Sequence, residues 1–347
     1  MQHLPDMCLR LVDHLIRAVE NPAVPLTFSE IVPQLREIRD FTLTDAQLPI
    51  VLAIVQRLAS ASLASNDLRE RDSLLTSLAD TRAIGRLIHS VPDDLRSAPP
   101  ELVALLQMLP GDHLRSLSDV LEEEHGDGAR RVVRTFIERY VLRDGEQVIE
   151  RMLAASSPVA CDLLRSLRYV SIQRAVDAVR LASGRNDLDF ELAALRVLEA
   201  APVSHGTTLL LGAYVGSSHD EVRLWALALI TQKRLAAAFP VILERARTVA
   251  VRGLPASEAA AYGEALAATD PGRALDTFRE WIRPKGLFSA LASPILQFIA
   301  VSGLTVLPGD EPEALIRVAS DKGGVDLQRH CTACMIKRRR AARSAPR

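Results

Sequence analysis

A pattern of apolar residues that returns after 31 and 32 positions constrains this chain more than any other feature of its sequence. Val222-Arg-Leu-Trp-Ala-Leu-Ala-Leu-Ile230 aligns with Phe190-Glu-Leu-Ala-Ala-Leu-Arg-Val-Leu198 at an offset of 32. Apolar residues coincide at Val222/Phe190, Leu224/Leu192, Ala226/Ala194, Leu227/Leu195, Leu229/Val197 and Ile230/Leu198. An offset of 31 then brings Phe190 onto Val159, Leu192 onto Cys161, Leu195 onto Leu164 and Leu198 onto Leu167. Each copy follows a polar turn (Ser156–Ser157, Asn186–Asp187, Ser217–Asp220) whose side chains suit helix N-caps. A second apolar stripe follows each one, over Ile172–Leu181, His205–Tyr214 and Phe239–Val251. Ser257–Thr269 and Pro271–Trp281 continue the alternation. A unit of about 30 residues with two helices cannot bury both stripes alone, so it must stack on its neighbours.

Helical spacing recurs along all 347 residues and no segment sustains period-two alternation. Aromatic residues are only 4%, so Leu, Ala and Val must build the core, a mix that favours helix over strand. Pro33, Pro49, Pro99–Pro100, Pro158, Pro255, Pro271 and Pro312 sit where a first helical turn is expected, since the missing N–H costs little there. Gly111, Gly126–Gly128, Gly145, Gly184, Gly216 and Gly323–Gly324 read as breaks. About fifteen to eighteen helices joined by short turns are expected. Gly286–Gly309 is a 24-residue stretch without charge, long enough to span a bilayer. Ser289, Ser293, Gln297, Ser302 and Thr305 dilute it, and Pro294 and Gly303 punctuate it, so two buried segments of a water-soluble helical protein are expected instead.

The segment Asp220-Glu-Val-Arg-Leu-Trp-Ala-Leu-Ala-Leu-Ile230 resembles the first helix of HEAT repeats, especially the short bacterial kind also found in phycobilisome-lyase-type proteins. Phe239-Pro-Val-Ile-Leu243 resembles the opening of that family's second helix. Glu191 and Ala160 stand where the family has Arg, so a regular acid–arginine ladder between repeats is not expected. The resemblance covers Ala129 to Arg283. It implies an all-α fold: a right-handed superhelical stack of antiparallel helix pairs, a HEAT-like α-solenoid. Residues 1–128 are then divergent repeats or a helical cap, 129–323 the HEAT-like repeats, and 324–347 a C-terminal helix with a basic tail.

That resemblance also implies a function. HEAT-like proteins hold another macromolecule in a groove lined by second helices, so the leading expectation is a non-enzymatic scaffold for a protein partner. Gln173, Asp177 and Arg180 share one helical face at i, i+4, i+7, and Glu244 and Arg247 share another. These five are the candidate partner-binding residues. The alternative expectation is a nucleic-acid-binding protein or a HEAT-type DNA glycosylase, which needs a basic groove, an acid and wedge side chains. A third, suggested only by the family likeness, is a lyase or isomerase acting on a tetrapyrrole.

Charge weighs against nucleic acid along most of the chain. The net charge is −1, but Lys337, Arg338, Arg339, Arg340, Arg343 and Arg347 fall in the last eleven residues, leaving the preceding 336 at −7. An acidic body attracts phosphates poorly, so any anion binding is expected from Lys337, Arg338, Arg339 and Arg340.

Chemistry-bearing motifs are sparse. His330-Cys331-Thr-Ala-Cys334 offers at most three metal ligands where a structural zinc site uses four, and Met335 stands where a haem-attachment motif needs His. Glu122-Glu-Glu-His-Gly-Asp-Gly128 groups acids at a helix end, and Asn186-Asp-Leu-Asp189 lacks the later ligands of a calcium loop. Gly-x-Ser-x-Gly, His-Glu-x-x-His and the glycine-rich phosphate and dinucleotide motifs do not occur. No catalytic, metal or cofactor-binding residue is therefore assigned, and neither a cofactor nor a small-molecule substrate is expected. The four cysteines need no disulfide in a chain of this size, and Met1–Arg10 has no apolar run, so a cytoplasmic location is expected.

Overall fold

A computed structural model describes residues 3–44, 48–78, 80–89, 91, 98–109, 113–123, 127–250, 254–283 and 293–344. Among the described residues there are nineteen α-helices, one 3-10 turn and no strand. That is slightly more helices than the breaks in the sequence suggested. They fall into two compact units, Met1–Ser171 and Ile172–Arg347.

The first unit holds α1 (His3–Glu20), α2 (Phe28–Thr44), α3 (Leu48–Ser60), α4 (Ser65–Ser77), α5 (Thr81–His89), α6 (Pro100–Met108), α7 (Leu114–Glu122), α8 (Asp127–Ala154) and α9 (Ser157–Val170). α2 begins at Phe28, which puts Pro33 in its second turn rather than its first, at the loss of one backbone hydrogen bond. α8 breaks at Asp144 (φ −148°, ψ 79°), one residue before the expected break at Gly145. The Asp144 carboxylate there accepts the Gln147 N–H at 3.3 Å. Ion pairs tie helices of this unit to one another. Arg57 of α3 donates to Asp13 and Glu20 of α1 at 3.0 and 2.7 Å. Both carboxyls are held below their ordinary range, chiefly by that guanidinium. Asp162 of α9 is only 2% exposed and accepts from Arg134 at 2.6 Å and Arg130 at 3.3 Å, both on α8.

The second unit holds α10 (Ile172–Leu181), α11 (Leu188–Ala200), α12 (His205–Tyr214), α13 (Asp220–Lys233), α14 (Phe239–Ala250), α15 (Ala256–Thr269), α16 (Pro271–Ile282), α17 (Pro294–Val306), α18 (Asp310–Lys322) and α19 (Val325–Ser344). α10 and α12 have the bounds that the apolar stripes imply. Burial follows the repeat register. Phe190, Val222 and Val159 are buried, as are Leu195, Leu227 and Leu164, while the residues at Arg196, Ala228 and Arg165 all face outward. Within this unit α11, α13, α15, α17 and α19 form a row in which each packs on the next, and α10, α12, α14, α16 and α18 pack beside it.

Caps explain several of the helix starts. Asp187 accepts the Phe190 N–H at 2.9 Å, Ser204 and Thr207 form a reciprocal capping box, and Asp270 accepts the Arg273 N–H at 3.0 Å. The turn before α13 is used differently. Ser217 donates to the buried Glu191 at 2.7 Å, and the N-cap itself is His219, with no side-chain cap. Arg223 then spans to the next first helix, holding Glu258 with two bonds of 2.6 and 2.9 Å. Glu258 is 1% exposed, so this pair is largely shut off from water.

The uncharged stretch that raised the question of a membrane is resolved in part. Residues 284–292 lie outside the described residues, while Pro294 opens α17 as expected. Gly303 does not interrupt it: α17 runs through to Val306 as one helix. The reason is a close helix crossing. A Cβ on Gly303 would lie 2.3 Å from the Phe278 ring and 2.7 Å from the Gly263 carbonyl oxygen, and one on Gly263 would lie 2.1 Å from the Ile299 carbonyl oxygen. Two glycines thus let α15 and α17 touch backbone to backbone. Among the described residues no helix is long and apolar enough to cross a membrane.

Candidate protein-interaction face

The five candidate partner-binding residues fall on α10 and α14, and α12 lies between these two helices in chain order. On α10 the structure brings Gln173, Asp177 and Arg180 into one line. Arg180 donates to Asp177 at 3.1 Å, and the Gln173 amide sits 3.5 Å from the other Asp177 oxygen. Arg180 is 67% exposed, so this pair contributes little to stability, on the order of 0–1 kcal/mol, and can exchange partners at low cost. The three side chains form one wall of a hollow of about 160 Å³, and Ser204, Gly206 and Thr207 at the start of α12 form the other.

A second hollow of about 160 Å³ lies between α12 and α14. Glu244 lines it, together with Val241, Thr248 and the backbone of Gly212. Gly212 leaves room for Val241 to approach, since a Cβ there would meet a Val241 methyl at 3.6 Å. Arg247 is exposed on α14 but lines neither hollow. Among the described residues it makes no ion pair with Glu244.

Sequence reasoning missed the apolar part of this face. Leu209 of α12 is 57% exposed and Val241 of α14 is 41% exposed. A signal for Leu209 was present. Leu209-Leu-Leu211 is a run of three, and at 100° per residue a helix packed on one face turns only part of such a run inward. Leu210 and Leu211 are buried and Leu209 faces water.

The basic tail is partly committed to the fold. The Arg338 guanidinium donates to the carbonyls of Leu304 at 2.6 Å, Leu307 at 2.5 Å and Gly309 at 2.9 Å, closing the C-terminal end of α17. Lys337 pairs with Glu264 at 2.8 Å. Arg339 and Arg340 are exposed on α19. The Arg343 side chain and Arg347 lie outside the described residues.

Cys331 is buried in the packed face of α19, whereas His330 and Cys334 line a hollow of about 210 Å³ together with Glu264, Ser302 and Lys337. The Ser302 hydroxyl lies 2.9 Å from His330 Nε2, Cys334 Sγ lies 3.6 Å from the same nitrogen, and the Phe298 ring packs at 4.9 Å. Burial lowers the His330 pKa, pushes the Cys331 thiol up to about 11 and raises that of Cys334. Both sulfurs are therefore held as thiols, the unreactive form. Among the described residues no three His, Cys, Asp or Glu side chains are grouped to hold a metal ion. In the acidic segment, Glu122 accepts from the Ser156 N–H at 3.1 Å and from its hydroxyl, while residues 124–126 lie outside the described residues. Asn186 accepts from Ser218 at 2.9 Å, and Asp187 is spent as a cap. Trp281 packs against Phe278 with ring centroids 5.9 Å apart, and Trp225 is half-buried in α13.

No family model, no curated protein and no solved structure matches this chain.

Proposed function

We propose that this protein is a non-enzymatic scaffold that holds a protein partner on the face formed by α10, α12 and α14, and that its helix pairs stack as a HEAT-like α-solenoid. One observation carries the reading. On three successive second helices, Asp177, Arg180, Glu244 and Val241 line two hollows, and Leu209 stands exposed on the middle helix. Apolar anchors with a charged rim are what protein interfaces use, the anchors giving affinity and the charges fixing register. The first-helix row, in which each member packs on the next and carries a second helix beside it, supports the stacked arrangement. The short hollows suit side chains of a partner better than a whole metabolite.

The test compares proteins retained by the tagged wild-type chain and by the triple variant Arg180→Glu, Leu209→Asp, Val241→Asp, with folding monitored by circular dichroism. All three positions are exposed, so the variant should fold. A partner that binds the wild type and is lost from the variant supports the reading. The same set of proteins on both would reject this face as the binding surface.

A further inference from the structure

A hollow in the first unit has a different chemistry. It measures about 280 Å³ and lies among α6, α7 and the first part of α8. Its floor is apolar: Leu106, Leu109, Leu117 and Phe136 all reach it, and each is almost wholly buried. Its mouth is cationic. Arg139 and Arg143 both line it, and among the described residues no acidic side chain does.

The two guanidiniums are positioned by the helix that carries them. Phe136, Arg139, Tyr140 and Arg143 fall at i, i+3, i+4 and i+7 of α8 and so share one face. Arg139 lies over the Phe136 ring at 5.7 Å and Arg143 over the Tyr140 ring at 4.6 Å. A ring beneath each guanidinium favours that placement and leaves N–H groups for another acceptor. Among the described residues neither arginine pairs with a carboxylate. The wall is also braced, because the His113 backbone N–H donates to the Tyr140 hydroxyl at 3.1 Å and joins the start of α7 to α8.

We infer that this hollow is a binding site for a small organic acid: a carboxylate on a short apolar body, its carboxylate held between Arg139 and Arg143 and its body on the Leu106, Leu109, Leu117 and Phe136 floor. Size sets the class. Liquid water occupies about 30 Å³ per molecule, so the hollow takes a ligand of roughly ten non-hydrogen atoms. Arginine matches the planar carboxylate through two parallel N–H bonds, and the apolar floor gains by losing water. A ligand this small is expected to bind in the millimolar to high-micromolar range. The sequence alone did not point here, because the residues involved come from three helices with no shared motif.

The test uses 3-phenylpropanoate as the probe and 3-phenylpropanamide, its neutral counterpart, titrated into the full-length protein by saturation-transfer NMR and calorimetry. The acid is expected to bind saturably and at least tenfold more tightly than the amide. Arg139→Gln with Arg143→Gln should weaken the acid about tenfold and leave the amide unchanged, while Arg168→Gln, an exposed arginine on α9, should change neither. Both substituted arginines are exposed, so the variants should fold. The assignment is overturned if the acid does not saturate, if acid and amide bind equally, or if the double variant binds the acid as the wild type does. None of these results bears on the α10–α12–α14 face, so the two proposals stand or fall separately.

Discussion

Replacing Gly303 with alanine tests the contact on which the packing of the second unit turns. The added methyl would sit 2.3 and 2.4 Å from two Phe278 ring carbons and 2.7 Å from the Gly263 carbonyl oxygen. Carbon atoms pack at about 3.5–4.0 Å, so the ring or the helix must retreat by more than 1 Å. Phe278 is fully buried, and a carbonyl on α15 cannot move without its helix. Overpacking of this kind costs about 1–3 kcal/mol, and two obstacles, one of them backbone, place it at the upper end. Alanine recovers up to about 1 kcal/mol of helix propensity, leaving a net loss of about 2 kcal/mol. At about 2–4 °C per kcal/mol for a domain of this size, Tm should fall by about 4–8 °C in a circular-dichroism melt. Amide hydrogen exchange should localise the loss to α15–α17 and spare α10, because row-wise packing passes strain mainly between neighbours. Gly212→Ala is the control. Its methyl would meet Val241 at an ordinary 3.6 Å, so it should be neutral or stabilising by up to about 1 kcal/mol. A Gly303→Ala protein as stable as the wild type would refute the crossing geometry, and a uniform loss of protection would refute the row.

Other perturbations follow from the polar contacts. Arg223→Met should destabilise by about 3–5 kcal/mol in urea denaturation, because it strands the buried Glu258 carboxylate; adding Glu258→Leu should restore most of the loss. Arg338→Met should cost about 1–2 kcal/mol by uncapping the α17 carbonyls, whereas Arg339→Gln should leave stability unchanged and weaken salt-dependent retention on a polyanion column. Arg234 ends α13 in the left-handed region (φ 48°), so Arg234→Gly should stabilise by about 1 kcal/mol in a thermal melt. The fold depresses the His330 pKa, so the unfolded chain takes up a proton that the native state resists. Stability should therefore be intact above about pH 6.5 and fall as the pH drops below it. His330→Gln should flatten that part of the pH profile.

The apolar repeat made α10–α16 legible because its register and its turns agree: polar residues before Phe190 and Val222, and proline at the start of α16, all point to one set of boundaries. Residues 1–128 offered no comparable register. Their helices α5, α6 and α7 are only nine residues long, too short for periodicity to separate from chance. Gly303 was read as punctuation because an isolated glycine in a sequence says nothing about what lies across from it. The partner here is Gly263, forty residues away. The pairing of Arg223 with Glu258 was hidden for the same reason, since many acids lie at similar separations and only the fold selects one. The exposed Leu209 was within reach of the pattern, and the arginine-lined hollow of the first unit was not.

A benzophenone photo-crosslinker at Leu209 of α12 would test the interaction face most directly. It would be compared in the native cell with the same group at Val325, which is equally exposed on α19. A protein partner on the α10–α12–α14 face predicts a discrete adduct at Leu209, absent at Val325 and abolished by Arg180→Glu with Glu244→Lys. Adducts of equal yield at both positions, or none at Leu209, would contradict it.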